Sequence, residues 1–454
     1  MKQDLKDLTQ GSLWKKILVF SLPLMLSNVL QILFNMSDVA VVGRFAGSGP
    51  LGSVGSTTTL VSLYTGFLIG MGTGVNVLVA RYYGSKNRQA LGETIHSAAI
   101  VCLLGGLLLL TLGQLLARWT LGILHTKDEL MDGALLYLRI YFFAMPAAAL
   151  YNFGSAVFSA IGNTKKPLLY LLCSGILNVI LNLFFVIVCK LSVAGVAIAS
   201  VISQYVSAGL VLWSLLRSRE DYGLRLRELR LSPAKTRAIL TISLPSGLQY
   251  AIFQIANLFV QAGVNSFSAA VVSGNAAASN ADALIFDIMA AFYTACGSFI
   301  GQNYGARNKK RILDSYLISL LYSFGIGAVL GLTLRAAGPA FLSLFAKEED
   351  VIAAGMERLS LMGLCFGFSA FMDCSTAASR GLGKSGVPTA IIILGSCVFR
   401  VIWIYTVFAH FHTITSLYLL YIVSWTITGL AEIAYLVYCY RKQTASFDKA
   451  PARA

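Results

Sequence analysis

YYGSKNR, residues 82–88, returns as NYGARNK at 303–309, an offset of 221 residues. The echo is not isolated. SLP at 21–23 recurs as SLP at 243–245, and AIGNTKKP at 160–167 recurs as GLGKSGVP at 381–388, with offsets of 222 and 221. Three matches in one order, with a single one-residue slip, show that the chain is written twice, and the period of the repeat decides the architecture. The material between the echoes decides the setting. The 454 residues are 57% hydrophobic and 12% charged, with a mean hydropathy of +0.73, whereas an ordinary soluble domain carries about 25% charged residues. A water-soluble fold is excluded.

The charges gather in short stretches separated by apolar runs of the length needed to cross about 30 Å of hydrocarbon as helix. AAIVCLLGGLLLLTLGQLLA (98–117) and PLLYLLCSGILNVILNLFFVIV (167–188) are the plainest. Twelve such runs are expected, near 15–42, 51–79, 92–117, 131–158, 167–189, 193–216, 236–264, 270–300, 312–335, 350–378, 388–410 and 415–440. The expected fold is an all-α polytopic membrane protein: twelve transmembrane helices in two parallel six-helix repeats. An even number per copy makes both copies start on the same side, and parallel repeats of this kind are a transporter signature. The divisions follow: an N-terminal lobe at 1–214, a cytoplasmic linker at 215–237, a C-terminal lobe at 238–442 and a cytoplasmic tail at 443–454.

A net charge of +15 invites a nucleic-acid partner, but its distribution argues against one. With both termini inside, 26 of the 35 Lys and Arg fall in inward loops and tails and 6 in outward loops. That bias orients a cell-membrane protein with cytoplasmic termini. The eight cysteines lie in or beside apolar runs without a CxxC pair, so neither a disulfide framework nor a zinc site is indicated. Gly381, Gly383 and Gly386 spell GxGxxG, but Ala378 stands where a Walker loop needs glycine and no strand precedes it, so no ATP-driven engine is expected.

Carboxylates inside helices need a reason, because each costs about 2.5–3.5 kcal/mol to insert at the centre of the bilayer. Asp38, Asp287, Asp373 and Glu432 are such residues, and the repeat tests them. Asp38 maps onto Phe259 or Val260, Asp287 onto Gly66, Asp373 onto Asn152 and Glu432 onto Val211, so the shared scaffold demands none of them. Asn178 and Asn182, at i and i+4 on one face of helix 5, map onto Phe399 and Trp403. With Asn152 and Ser200 they are the expected company of Asp38, and Asn28, Gln31 and Asn35 share its helix face. A carboxylate among neutral amides in low dielectric suits a group that takes up and releases a proton; interhelical hydrogen bonding of a buried acid is the structural alternative. Pro23 frees a carbonyl and supplies an expected hinge. On helix 7, Tyr250, Gln254, Asn257 and Gln261 form a stripe that either faces a substrate cleft or glues helices together. Arg400 is expected to pair with Asp373 or Glu432, and Arg139 and Arg358 to snorkel from helix ends.

A helix-1 proline followed fifteen positions later by aspartate in FNMSDVAVVGR, the YGSKN and YGARN turns, and IGNTKKP with RGLGKSGVP together resemble the multidrug and toxic compound extrusion (MATE) family. The resemblance covers residues 10 to 440. It implies two six-helix lobes around a central cleft, alternating between outward-open and inward-open states, with drug export driven by H+ or Na+. Carried over by position, Asp38, Asn152, Asn178 and Asn182 form the cation or proton site of the first lobe, with Na+ at Asp38 and Asn178 as the alternative ion. In part of the family the Asn182 position is aspartate, and some members have a helix-7 glutamate where this chain has Phe253 and Gln254. Both departures weaken the case for tight Na+ binding.

The leading expectation is a monomeric antiporter, not an enzyme, that exports small amphipathic, cationic organic substrates across the lipid bilayer and needs no cofactor beyond the coupling ion. Its cleft would be lined by Asn35, Tyr64, Tyr141, Gln254, Asn257, Gln261, Asp287 and Asp373. The alternatives are a flippase for a lipid-linked saccharide, which would call for a basic cavity, and a membrane enzyme or sensor, for which His410 and His412 are the one near pair.

Overall fold

The computed structural model describes residues 7–124, 126–363 and 365–447; residues 448–454 of the expected tail lie outside them. All regular structure among these residues is helical. Eleven helices are long and apolar enough to cross a membrane: α1 (Leu13–Phe45), α2 (Ser48–Gly84), α3 (Arg88–Ile123), α4 (Asp128–Ala160), α5 (Lys165–Val188), α6 (Ser192–Leu216), α7 (Pro233–Val264), α8 (Ala269–Gly305), α9 (Lys309–Leu342), α11 (Gly386–Phe411) and α12 (Ile414–Thr444). The twelfth span, α10, is a bent pair, Glu349–Gly363 and Phe366–Gly381, with a 50° break. The chain is thus a multi-pass membrane protein of twelve helices, as the hydropathy pattern predicts.

The repeat is reproduced in backbone detail. Between α2 and α3, Lys86 takes φ 55°, and between α8 and α9, Arg307 takes φ 56°. The following asparagine caps the next helix in both copies: Asn87 Oδ1 accepts from the Ala90 N–H at 3.0 Å and Asn308 Oδ1 from the Arg311 N–H at 3.2 Å. An N-cap side chain satisfies one of the orphan donors at a helix start, which explains why both turns spell asparagine there. In the second echo Gly162 and Gly383 sit at φ 83° and 84°, a left-handed conformation open mainly to glycine.

The helices form two compact units, one comprising Met1–Met25 with Ile252–Ala454 and the other Leu26–Ala251. The division runs through α1 just beyond Pro23 and through α7 beyond Pro245, so each proline-bearing helix contributes to both units. Each copy is also preceded by an anchored segment. In the first unit, Leu8 is buried, its N–H donates to Gln302 Oε1 at 3.0 Å, and the Arg311 guanidinium donates to the carbonyls of Leu8, Gln10 and Gly11. In the second, the polar linker before α7 is anchored at several points though residues 225–231 are exposed. Tyr222 and Leu224 are buried, His96 Nε2 accepts from the Arg225 N–H at 3.0 Å, and Ser97 Oγ accepts from the Ser232 N–H at 3.0 Å.

Where hydrocarbon surrounds the bundle, helices gain little from hydrophobicity and associate by close packing over small residues. In the second unit α7 meets α2 in this way: a Cβ added at Gly70 would fall 2.5 Å from the Gly247 backbone, and one at Gly74 would fall 2.2 Å from Ser243 Oγ. Backbone cannot yield as a side-chain tip can. Gly70→Val is expected to destabilise the protein by about 1–3 kcal/mol through overpacking, read as a lower thermal midpoint in detergent. Gly92→Val, at a position with open space around it, should leave the midpoint unchanged.

Candidate ion site in the second unit

Asp38 lies seven residues before the end of α1, and α5 brings two amides to it because α5 is notched opposite α1. A Cβ at Gly175 would overlap the ring of Phe34, one turn before Asp38. The glycine lets the aromatic ring lie against the α5 backbone, which draws the next turns together. Asn178 and Asn182 then fall one and two turns beyond the contact, on the face that meets α1.

The Asn182 amide nitrogen donates to Asp38 Oδ1 and, at 3.2 Å, to Asn178 Oδ1. Ser200 Oγ from α6 donates to Asp38 Oδ2 at 3.2 Å and accepts from Asn178 Nδ2 at 3.5 Å. Asn178, Asn182 and Ser200 are all buried, Asn182 fully. One half-buried carboxylate therefore accepts from an amide and a hydroxyl, which Asn178 links to each other, and no cation is among these partners. Asn182 Oδ1 is buried and accepts no hydrogen bond, and an unsatisfied buried acceptor asks for a ligand. The donor set, carboxylate, amide and hydroxyl oxygens, suits a proton or a hard cation rather than a soft metal.

Of the five residues expected at this site, four are brought together. Asn152 on α4 instead donates to the Ala148 carbonyl of its own helix at 2.9 Å. Asn35 is exposed on α1, one turn before Asp38. Tyr64 is buried edge-on against Phe142 at 4.8 Å, and Tyr141 stacks on Tyr137 at 5.7 Å.

In the first unit part of the expected stripe is used between helices, while Asp373 and Glu432 lie near each other and near Arg380. Gln261 on α7 donates to Asn265 at 2.8 Å and accepts from Asn275 on α8 at 3.4 Å, so this part of the stripe ties helices together. Gln254 is half-buried, as are Asp287 on α8 and Asp373 on α10. Glu432 on α12 is fully buried, and neither of its carboxyl oxygens has a hydrogen-bond partner.

Two arginine expectations are corrected. Arg358 does not snorkel: it is buried, and its Nε and Nη2 donate to Asp282 Oδ2 at 2.9 and 2.5 Å while Nη1 donates to Asn275 Oδ1 at 2.7 Å. α8 carries its acid in the interior, within reach of α10, so the charge is neutralised where it stands. Arg400 does not pair with Asp373 or Glu432. Its partners are Asn257 Oδ1 at 3.2 Å, Ser424 Oγ at 3.5 Å and the rings of Phe253 and Tyr421. Sequence spacing hid the Arg358–Asp282 pair because its members are 76 residues apart; two opposite charges inside apolar runs were the available signal.

The sequence profile of the MatE family matches residues 23–184 and again 245–406. The two matches start at Pro23 and Pro245, each covering one copy of the repeat. The chain belongs to the MATE family. Members of this family are transporters, not enzymes. The "Probable multidrug resistance protein YpnP" of Bacillus subtilis is 28% identical over 400 residues, 87% of this chain and 88% of the relative. The "Probable multidrug resistance protein NorM" of Thermotoga maritima is 23% identical over 393 residues, 84% of this chain and 82% of the relative. A solved outward-facing conformation of a multidrug resistance MATE family transporter has the same fold, with a TM-score of 0.88, 20% identity and 98% of each chain covered.

The Gly175 notch sets the α1–α5 distance on which the Asp38 cluster depends. Gly175→Ile is expected to push Phe34 off α5 and to cut ion-coupled transport, measured in proteoliposomes, toward the level of empty liposomes. Gly209→Ile on α6, with open space around it, should transport normally.

Proposed function

We propose that this MATE protein is a monomeric antiporter of the cell membrane, with both termini cytoplasmic, that exports small amphipathic organic compounds of cationic character in exchange for H+ or Na+. The observation that carries the reading is Asp38, a carboxylate enclosed by Asn182, Asn178 and Ser200 and facing no cation. The scaffold does not require it, since the other copy builds the same helix with Phe259 or Val260. The relatives named for multidrug resistance support drugs or toxic compounds as cargo.

The mechanism is linkage. Cargo and coupling ion favour different states, so protonation of Asp38 from outside, or ion binding there, displaces cargo, and cargo binding on the inside displaces the ion. Asn182 and Ser200 hold the carboxylate in place with two hydrogen bonds. Asn182 Oδ1, the acceptor left over, is positioned to take the ion's remaining coordination. The excess of Lys and Arg in the inward loops supports the orientation. A flippase for a lipid-linked saccharide has weaker support: it would call for a basic cavity, and of the buried arginines described in the first unit Arg358 is neutralised by Asp282 and Arg380 lies among the carboxyls of Asp373 and Glu432, which leaves Arg400.

Purified protein in liposomes, loaded with a fluorescent organic cation under separately imposed pH and Na+ gradients, tests the reading. Asp38→Asn is expected to abolish gradient-driven movement of the dye; unchanged pH-driven and Na+-driven transport in that variant would refute the role of Asp38. Asn182→Asp adds a second carboxylate beside the first. Two acids share a cation more readily than one, so this variant is expected to gain Na+-driven transport relative to the wild type.

A further inference from the structure

The first unit holds a buried guanidinium with no carboxylate in contact with it. Arg400 is 1% exposed, and among the described residues no carboxylate lies within ion-pair distance of it. The neighbouring Arg358 is balanced by Asp282, and the two guanidinium carbons stand over one ring, Tyr421, at 5.4 and 4.6 Å. Asp373 acts on Arg400 electrostatically but from beyond contact distance, so one guanidinium of the cluster has no carboxylate bonded to it. Of the five N–H donors of Arg400, one bonds Asn257 at 3.2 Å and one makes a long contact with Ser424 at 3.5 Å. Ring faces supply the rest: Phe253 at 4.8 Å and Tyr421 at 4.6 Å. Such faces attract a cation but accept few hydrogen bonds. A charge kept in a membrane bundle without a partner is a functional group by default.

Its position is that of the ion site, transposed. α11 contains a π-helical turn, Ile393–Val398, while the corresponding part of α5 is regular helix. A π-turn houses an extra residue and re-aims the side chains beyond it. Pro167 and Pro388, before the turn, are 221 apart; beyond it, Arg400 stands 222 from Asn178. One extra residue thus puts Arg400, not Phe399, at the place of Asn178. The sixth helix of each copy also supplies a serine, from positions 224 rather than 222 apart: Ser200 contacts Asn178, and Ser424 contacts Arg400. Helices α1, α5 and α6 build a site around a negative charge, and α7, α11 and α12 build one around a positive charge.

We infer that Arg400, with Asn257, Ser424 and the rings of Phe253 and Tyr421, binds the carboxylate or phosphate group of an amphipathic aromatic cargo. The fork of a guanidinium fits a planar carboxylate or a phosphate in a bidentate way, and the flanking rings suit an aryl group bearing it. Phe253, Asn257 and Tyr421 are half-buried rather than sealed, so the approach lies along the polar stripe of α7. The inference deepens the export reading and rests on it: cargo with a cationic centre and an acidic group is zwitterionic, not purely cationic.

Rhodamine 110 and its methyl ester, rhodamine 123, differ only in that the first has a free carboxylate and the second does not. Binding of each dye to the purified full-length protein in detergent is read by fluorescence polarisation. Arg400→Gln is expected to weaken rhodamine 110 binding about tenfold or more, the scale of a charge-assisted pair, and to leave rhodamine 123 unchanged. Asn257→Asp keeps the guanidinium but neutralises it in place, and should give the same selective loss without removing a buried side chain. Equal weakening of both dyes in both variants, or no change in either, overturns the inference. So does competition for rhodamine 110 by phosphatidylglycerol but not by an aryl carboxylate, which would make a lipid headgroup the occupant. Binding that depends on Arg400 in a protein that exports neither dye would refute the export reading and leave the site standing.

Discussion

Hydrocarbon offers no hydrogen-bond partner, and the rest of this structure follows from that. Backbone groups must be satisfied within helices, so all regular structure among the described residues is helical. Side-chain polarity must be satisfied between helices, so each buried charge or amide is either met by another helix or held for a ligand. Arg358 and Asp282 are the first case, a pair closed across α8 and α10. Asp38 and Arg400 differ from that pair: each bonds neutral groups that orient it without discharging it, the ground for the roles proposed for them.

The helices reach these partners through absences of side chain. Gly175 admits Phe34 and sets α1 against α5; Gly70 and Gly247 bring α2 and α7 to backbone contact. These glycines spend side-chain volume on proximity. The same close approach that holds the bundle together places Asn178 and Asn182 within reach of Asp38. Stability and site geometry therefore share their determinants, and damage to either is expected to register in both.

Duplication supplied the frame, and divergence supplied the chemistry. The turns at Lys86 and Arg307, and at Gly162 and Gly383, keep the same backbone angles in both copies. The membrane interior did not keep the same residues. One copy concentrates a carboxylate and amides, and the other, after an added residue in α11, presents a guanidinium and aromatic faces.

The sequence by itself determined the membrane setting, the number of helices, the repeat and the residues of the Asp38 cluster, because apolar length, turn chemistry and offsets between copies are local or periodic quantities. Asn178 and Asn182 were legible as an i, i+4 face and Asp38 as a carboxylate its repeat partner lacks. Only the tertiary structure decided which helix each polar group meets. Asn152 turns to the Ala148 carbonyl of its own helix, Tyr64 meets Phe142 edge-on, Arg358 finds Asp282, and Arg400 bonds Asn257 and Ser424 with no acid in contact. Those outcomes depend on helix rotation and on the distance of approach, which a π-turn or a single glycine can change, and neither is written in the hydropathy of the segments.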